Sequence, residues 1–188
     1  MSVLLDVPSL VAKALRKSLT MGYLDATRTE TGRLLATLAA SRTGTIAECG
    51  TGCGVGAAWL RSGAPAGTRV LTAELEGRLA RDVRAMFAED DIDVLHADWT
   101  ALSSAAPFSL LFLDASSAKT APRDEVIELV EPGGMIVLDD FTPSGLTSAM
   151  RPERLDQLRN DWLSDPRLSS AEVMVAPDTA VVLAVRRR

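Results

Sequence analysis

The chain has 188 residues, about one domain's worth, of which 47% are hydrophobic and 24% charged. With a mean hydropathy of +0.13 and no apolar run near the roughly 18 residues of a membrane span, the composition excludes disorder and integral membrane insertion. Twenty basic against 25 acidic residues leave a net charge of −5, which gives no general attraction for phosphate backbones and speaks against nucleic-acid or anionic-membrane partners.

The opening segment has Asp6 and Pro8 inside its apolar stretch and its positive charges after it, the reverse of a secretory signal, so it reads as part of the fold. From Pro8, which suits a first helical turn, Leu10, Val11, Ala14 and Leu15 share one helical face. Leu34, Leu35 and Leu38 do the same between Arg28 and Ser41. After Gly44 the rhythm changes: Thr45–Cys49 reads as a strand, Ala57–Leu60 as a helix and Arg69–Glu74 as a second strand. Leu79, Val83, Met86 and Phe87 form one helical face, Ile92–His96 a third strand, and Phe108–Leu113 a fourth, apolar enough to be buried on both faces. Val126, Ile127, Leu129 and Val130 mark a helix that Pro132-Gly133-Gly134 ends, before a fifth strand at Met135–Leu138. Leu155, Leu158 and Trp162 make a last helical stripe. Glu172–Val175 and Ala180–Val185 then form a β-hairpin around Ala176-Pro177-Asp178-Thr179.

Four of the 13 glycines fall in Gly50-Thr51-Gly52-Cys53-Gly54-Val55-Gly56, after a strand and opening a helix. Without a Cβ the chain can turn sharply there and let a ligand approach the main chain; an ordinary tight turn is the plain alternative. Gly52-x-Gly54-x-x-Ala57 satisfies a dinucleotide fingerprint, and Glu74 lies about 20 residues on, where an acid holds a ribose hydroxyl. That motif alone does not choose between NAD and S-adenosylmethionine. Glu48, just before the first glycine, would repel a pyrophosphate but attract an ammonium or lie favourably near a sulfonium. The closing antiparallel hairpin also departs from the six-strand dinucleotide pattern.

The segments IAECGTGCGVG, VLTAELE, VLHADW, FSLLFLDA and EPGGMIVLDD occur in the order found in class I S-adenosylmethionine-dependent methyltransferases, a resemblance covering Arg28 to Arg188. Within that superfamily the chain is similar to O-methyltransferases of the catechol and caffeoyl-CoA type, including the closing WLSDPRLSSAEVMVAPDTAVVLAVRRR. The fold expected is α/β: a Rossmann-like, seven-stranded, mostly parallel sheet with helices on both faces and a C-terminal antiparallel hairpin. A single domain, 1–188, is expected, with N-terminal helices over 1–41 and the cofactor-binding core over 42–188. The resemblance implies S-adenosylmethionine as cofactor. Glu48, Gly50, Thr51, Gly52 and Gly54 would line its methionine and ribose pocket, Glu74 would take the ribose hydroxyls, Ala97 and Asp98 would contact adenine, and Trp99 would cover the ring. Asp98 has a second reading as the N-cap of a helix starting at Trp99.

Asp114 ends the fourth strand and Asp139-Asp140 the fifth, so three carboxylates share the edge that carries the glycine loop. Three anions together are costly unless a cation joins them. They could ligate Mg²⁺ or another divalent cation and leave positions open for a substrate with two adjacent oxygens. Catechol-type relatives carry Asn at the position of Asp140, while paired Asp occurs in macrocin-type O-methyltransferases. The lysine that catechol-type relatives place three residues after the first Asp is Ser117 here, and Lys119 lies two further on. The alternative without a metal has Asp114 serving the cofactor's amino group and Asp139-Asp140 capping the Phe141-Thr142-Pro143 loop. For catalysis, Asp139, Asp140 or Lys119 would deprotonate or orient an acceptor hydroxyl, with Asp114 near the sulfonium.

The leading expectation is therefore a methyltransferase acting on a small-molecule hydroxyl. Its alternatives are a cofactor-binding module without turnover, for which Ser117 speaks, and an NAD-dependent dehydrogenase. No Asn-Pro-Pro-aromatic or Asp-Pro-Pro-aromatic motif of DNA base methyltransferases follows the fourth strand. Cys49, Cys53 and His96 are too few for a disulfide framework or a Cys/His zinc site. The cysteines read as small neutral side chains in a reducing cytoplasm, and His96 as a core or pocket-edge residue. Relatives suggest a homodimer. Seven strands, six helices and their connections consume about 174 residues at ordinary lengths. That leaves an open acceptor site to be completed by the first helix, the Thr142–Pro152 loop or a second subunit.

Overall fold

Every residue of Phe108–Leu113 is buried, as a strand covered on both faces requires, and it forms β4, the middle strand of a seven-stranded sheet. The computed structural model describes residues 7–144 and 153–188. The other strands are β1 (Thr45–Cys49), β2 (Arg69–Glu74), β3 (Ile92–His96), β5 (Val130–Phe141), β6 (Leu168–Ala176) and β7 (Thr179–Arg186), in the order β3-β2-β1-β4-β5-β7-β6. β1 to β5 run parallel, and β7 is antiparallel to both β5 and β6. The helices are α1 (Ser9–Met21), α2 (Thr29–Ala39), α3 (Val55–Gly63), α4 (Gly77–Met86), α5 (Ser116–Lys119), α6 (Arg123–Glu128) and α7 (Glu153–Ser164), with a 3-10 segment at Trp99–Ala105. The expected α/β architecture, with its closing hairpin, is thus the observed one.

Alternation along the strands separates two apolar layers. Ile46, Val70, Leu110 and Val137 face α1 to α4, where Val11, Leu35, Trp59, Leu60 and Val83 complete one cluster. Ala47, Leu71, Leu111 and Leu138 face the other way, toward Leu102, Val126, Ile127 and Trp162. Each fully buried side chain of this size contributes about 1.5–3 kcal/mol relative to exposure. A Cβ on Gly32 would lie 2.2 Å from the Trp59 ring, and one on Gly63 would lie 2.0 Å from the Ala36 carbonyl oxygen. These two positions let α2 settle directly on α3. Among the described residues no helix is long and apolar enough to cross a membrane.

Three local expectations are corrected. The helix expected through Val130 stops at Glu128, because Val130, β-branched and buried, pairs with Phe108 and opens β5. Pro132-Gly133-Gly134 does not terminate that helix but lies within β5, where the pairing jumps from Phe108↔Val130 to Leu110↔Met135. β6 starts at Leu168 rather than Glu172, since pairing with β7 imposes strand conformation on Ser169-Ser170-Ala171, which carry little β character of their own. The stripe ending at Trp162 falls on α7, and Trp162 is fully buried; the side chain of Leu155 lies outside the described residues.

Strand order reverses between β1 and β4, and in such sheets ligands bind beyond the carboxyl ends of the strands at that point.

Candidate functional site

A cleft of about 630 Å³ opens at that position, within the roughly 300–1,000 Å³ range of small-molecule sites. Gly50 and Gly52 form its base. Glu74, Leu75, Ala97, Asp98 and Trp99 line one side, and Asp114 to Ser117 with Asp140 line the other.

The base is fastened to β2: the Gly50 and Thr51 amides both donate to the Ala73 carbonyl, at 3.1 and 3.2 Å. Gly52 has φ +51°, a left-handed conformation that only glycine adopts without strain, and a Cβ there would meet the Tyr23 hydroxyl at 2.9 Å. Its amide donates to Glu74 Oε2 at 2.9 Å, and the Glu76 amide donates to Oε1 at 2.9 Å. Both oxygens of Glu74 are therefore fixed by backbone, with lone pairs left over for a ligand. Asp98 has the N-cap role: its Oδ1 accepts from the Thr100 amide at 3.0 Å and hydroxyl at 2.7 Å, which hold its carboxyl below the ordinary value. It also lines the cleft, so the cap and a ligand contact can coexist.

Three residues expected on the wall lie behind it. Glu48 is fully buried beneath the glycine loop, accepts from the Thr72 hydroxyl at 2.6 Å, and does not line the cleft. Thr72 is in turn 2.7 Å from the Thr51 hydroxyl. The Glu48 carboxylate occupies the space that a Cβ on Gly56 would need, at 2.1 Å. Burial pushes its carboxyl well above the usual carboxylate range, and its place behind the loop keeps it out of direct contact with a ligand in the cleft. Thr51 and Gly54 lie beside it, off the main cleft.

Cys49 and Cys53 are free and buried, and burial raises both thiols, as small neutral side chains require. His96 is neither core nor cleft lining: it is exposed at the end of the edge strand β3, against Gly77.

The acidic side has an unexpected geometry. Between Leu138↔Val182 and Phe141↔Ala180, β5 carries one residue more than β7, a bulge at Asp139-Asp140 in which Asp140 has φ 66°. Such bulges re-aim side chains. Asp139, 2% exposed, turns inward to accept from the Thr31 hydroxyl of α2 at 3.1 Å. Asp140 is exposed, and its Oδ2 accepts from Lys119 Nζ at 3.0 Å. Among the described residues no three His, Cys, Asp or Glu side chains form a group that could hold a metal ion. The three carboxylates expected to share a divalent cation, those of Asp114, Asp139 and Asp140, therefore do not converge in this geometry: the bulge turns Asp139 and Asp140 apart, one held by Thr31 and the other by Lys119. Burial pushes the Asp114 carboxyl up to about 7, against the pull of the Lys119 ammonium and with a further push from Asp140 and Asp139. Burial likewise raises Asp139.

The roof had no signal in the periodicity. α1 ends at Gly22 (φ 63°), with the Tyr23 amide donating to Ser18 and the Gly22 amide to Leu19, a Schellman-type ending that sends Tyr23 to Arg28 across the cleft. Burial and the nearby Asp114 and Glu74 push the Tyr23 phenol up to about 12, so it remains a donor. Arg28 anchors the far end through paired bonds of 3.0 and 3.1 Å to Asp178 in the hairpin turn. The segment after the first helix thus completes the cleft, while most of the Thr142–Pro152 loop lies outside the described residues. At the exit of β5, Arg159 donates to the Thr142 carbonyl and pairs with Glu172 at 2.9 Å. Glu172 also accepts from the Ser144 amide at 2.8 Å.

No protein-family model and no curated protein matches the sequence. Solved structures match the whole fold. The cofactor-bound Rv0187 from MTB superposes with a TM-score of 0.83 at 22% identity, over 100% of this chain and 94% of its own. The O-methyltransferase TomG from Streptomyces achromogenes, involved in tomaymycin synthesis and solved with SAM, gives 0.79 at 21% identity, over 100% and 93%. The O-methyltransferase from Bacillus cereus, in complex with SAH, gives 0.75 at 21%, over 98% and 94%. The chain therefore has the Rossmann-like fold of these structures, two of which are O-methyltransferases.

Proposed function

We propose that this chain is an S-adenosylmethionine-dependent methyltransferase that methylates a hydroxyl group of a small molecule. The observation that carries the reading is the Glu74 carboxylate, held by the Gly52 and Glu76 amides at the cleft wall, where it can accept from both hydroxyls of a ribose. The residues present fit that cofactor: a base without side chains at Gly50 and Gly52, an acid at the end of β2, and Asp98 and Trp99 beyond β3 for an adenine. When bound, S-adenosylmethionine supplies a methyl group on a sulfonium, a leaving group already activated, so the protein has to align the acceptor and remove its proton.

On this reading the chain's own groups divide the work. Glu74 and the glycine loop hold the nucleoside, and Asp114, half-buried on the opposite wall, faces the positive charge. Asp140 orients the acceptor hydroxyl and takes its proton, with Lys119 fixing its carboxylate. Asp139 supports this arrangement from behind, through Thr31. Tyr23 and Asp25 cover the site. The neighbours of like fold named as O-methyltransferases support oxygen as the accepting atom. Exposed Leu19 and Leu24 beside the roof support a homodimer, and the two free thiols suit a reducing cytoplasm.

Calorimetric titration with S-adenosylhomocysteine tests the reading, with one equivalent bound per chain as the expected result. Folded protein that binds none overturns it. Transfer of labelled methyl to a panel of hydroxylated metabolites then tests the acceptor atom.

A further inference from the structure

A divalent ion needs oxygens that converge: Mg²⁺ demands near-octahedral geometry at about 2.0–2.1 Å. The three carboxylates at the ends of β4 and β5, held as they are by Thr31 and Lys119, do the opposite. The bulge sends Asp139 inward to Thr31 and Asp140 outward, so adjacent residues present their carboxylates to different partners. Between them a cation is already built into the chain. Lys119 is the last residue of α5, its side chain only 9% exposed, and its Nζ lies 3.0 Å from Asp140 Oδ2. α5 has little freedom to withdraw it. The Asp114 and Ala115 amides both donate to the Cys49 carbonyl, and the Lys119 amide donates to Ala115, tying the lysine's backbone to the same strand end as Asp114. A second cation entering beside a fixed ammonium is repelled.

We propose that the Lys119 ammonium takes the place of a divalent ion among Asp114, Asp139 and Asp140, so that methyl transfer by this chain is independent of metal. The proposal rests on the methyltransferase reading above and adds to it the class of acceptor. With no ion to chelate two neighbouring oxygens, the acceptor needs only one hydroxyl at the reacting position. Ser116 and Ser117, exposed on the cleft wall beside Lys119, supply its remaining polar contacts.

The test uses Mn²⁺, followed by electron paramagnetic resonance, with the folded full chain in the presence and absence of S-adenosylhomocysteine. The expected result is that the wild type leaves Mn²⁺ free, with any dissociation constant weaker than about 1 mM, and that Lys119→Met, once its ammonium is gone, binds Mn²⁺ at least tenfold more tightly. Tight Mn²⁺ binding to the wild type that Asp114→Asn abolishes would overturn the proposal. So would a folded Lys119→Met protein that binds Mn²⁺ no better than the wild type. If that variant does not fold, Lys119→Gln replaces it, and the wild-type titration decides in either case. In parallel, calorimetry should give the same affinity for S-adenosylhomocysteine in EDTA and in excess Mg²⁺. Absence of binding in both buffers is the failure of the methyltransferase reading itself, and it is distinguishable because the Mn²⁺ comparison does not depend on it.

Discussion

The two walls of the cleft are built differently. Along β1, β2 and β3 a ligand meets backbone and a carboxylate that backbone holds: Gly50, Gly52, and Glu74 fixed by two amides. Along β4 and β5 the geometry is set by side chains on side chains, with Lys119 on Asp140 and Thr31 on Asp139. The first wall is rigid because its donors are backbone amides, one in a glycine loop tied to the end of β2 and one at the start of α4. The second depends on a bulge and on charges that a single substitution can rearrange. Binding of the nucleoside and tuning of the acceptor subsite are therefore separable, and variants on the two walls should fail in different ways.

The largest expected effect falls on the first wall. Glu74→Ala removes both ribose acceptors and should weaken S-adenosylhomocysteine by about 1–3 kcal/mol, roughly 5- to 150-fold by calorimetry. An unchanged dissociation constant removes Glu74 from the site.

Next comes the pH response of the second wall. The Asp114 carboxyl is raised by burial from 3.8 to about 7 in the folded chain. Between those values the folded state binds more protons than the unfolded one, so stability falls as pH rises from about 4 to about 7 and then levels off. The fall should be about 3 kcal/mol. Asp139 and Glu48, also raised, act in the same direction. Asp165, drawn down by its bonds to Arg167 and Arg123, contributes stability that is lost only as pH drops below about 4. Urea unfolding at pH 5 and pH 8 checks this: Asp114→Asn should reduce the difference, and an equal difference in both proteins refutes the assignment. Smaller still, Thr31→Val strips the buried Asp139 oxygen of its donor and should cost about 1–2 kcal/mol of stability, with affinity for S-adenosylhomocysteine within twofold. A matching loss of affinity would mean that the two walls are coupled.

The same contrast explains what could be read from the chain. The glycine loop and Glu74 were legible because their chemistry is local: a strand, glycines, a helix, and an acid at the end of the next strand. Glu48 misled because the sequence shows its neighbours along the chain but not Thr72 and Gly56, which enclose its carboxylate. The acidic cluster was legible as three carboxylates at one edge, whereas their directions were not. The bulge that separates Asp139 from Asp140 exists only through pairing with β7, some forty residues later. Lys119 was visible as a candidate, but its contact with Asp140 depends on α5, too short to show a period. The roof escaped for a related reason. Gly22 is a recognisable helix ending, yet nothing near it reveals that Tyr23 to Arg28 then cross the ends of strands far along the chain.

That roof provides the mildest test of the comparison, since it joins the two walls without belonging to either. Arg28 and Asp178 are exposed, 49% and 65% by side chain, and exposed pairs contribute little to stability. Asp178→Ala should therefore leave the melting temperature unchanged. It does release the far end of a segment whose near end stays fixed by the Ser18–Tyr23 bonds. Amide exchange should then accelerate about two- to fivefold from Asp25 to Arg28 and much less at Tyr23, a local opening with no global one. Equal acceleration along the whole segment would mean that the α1 ending, and not the Arg28 anchor, holds the roof. No change at all would mean that packing against Gly52 and the cleft edge is sufficient, and that the hairpin turn only touches the roof.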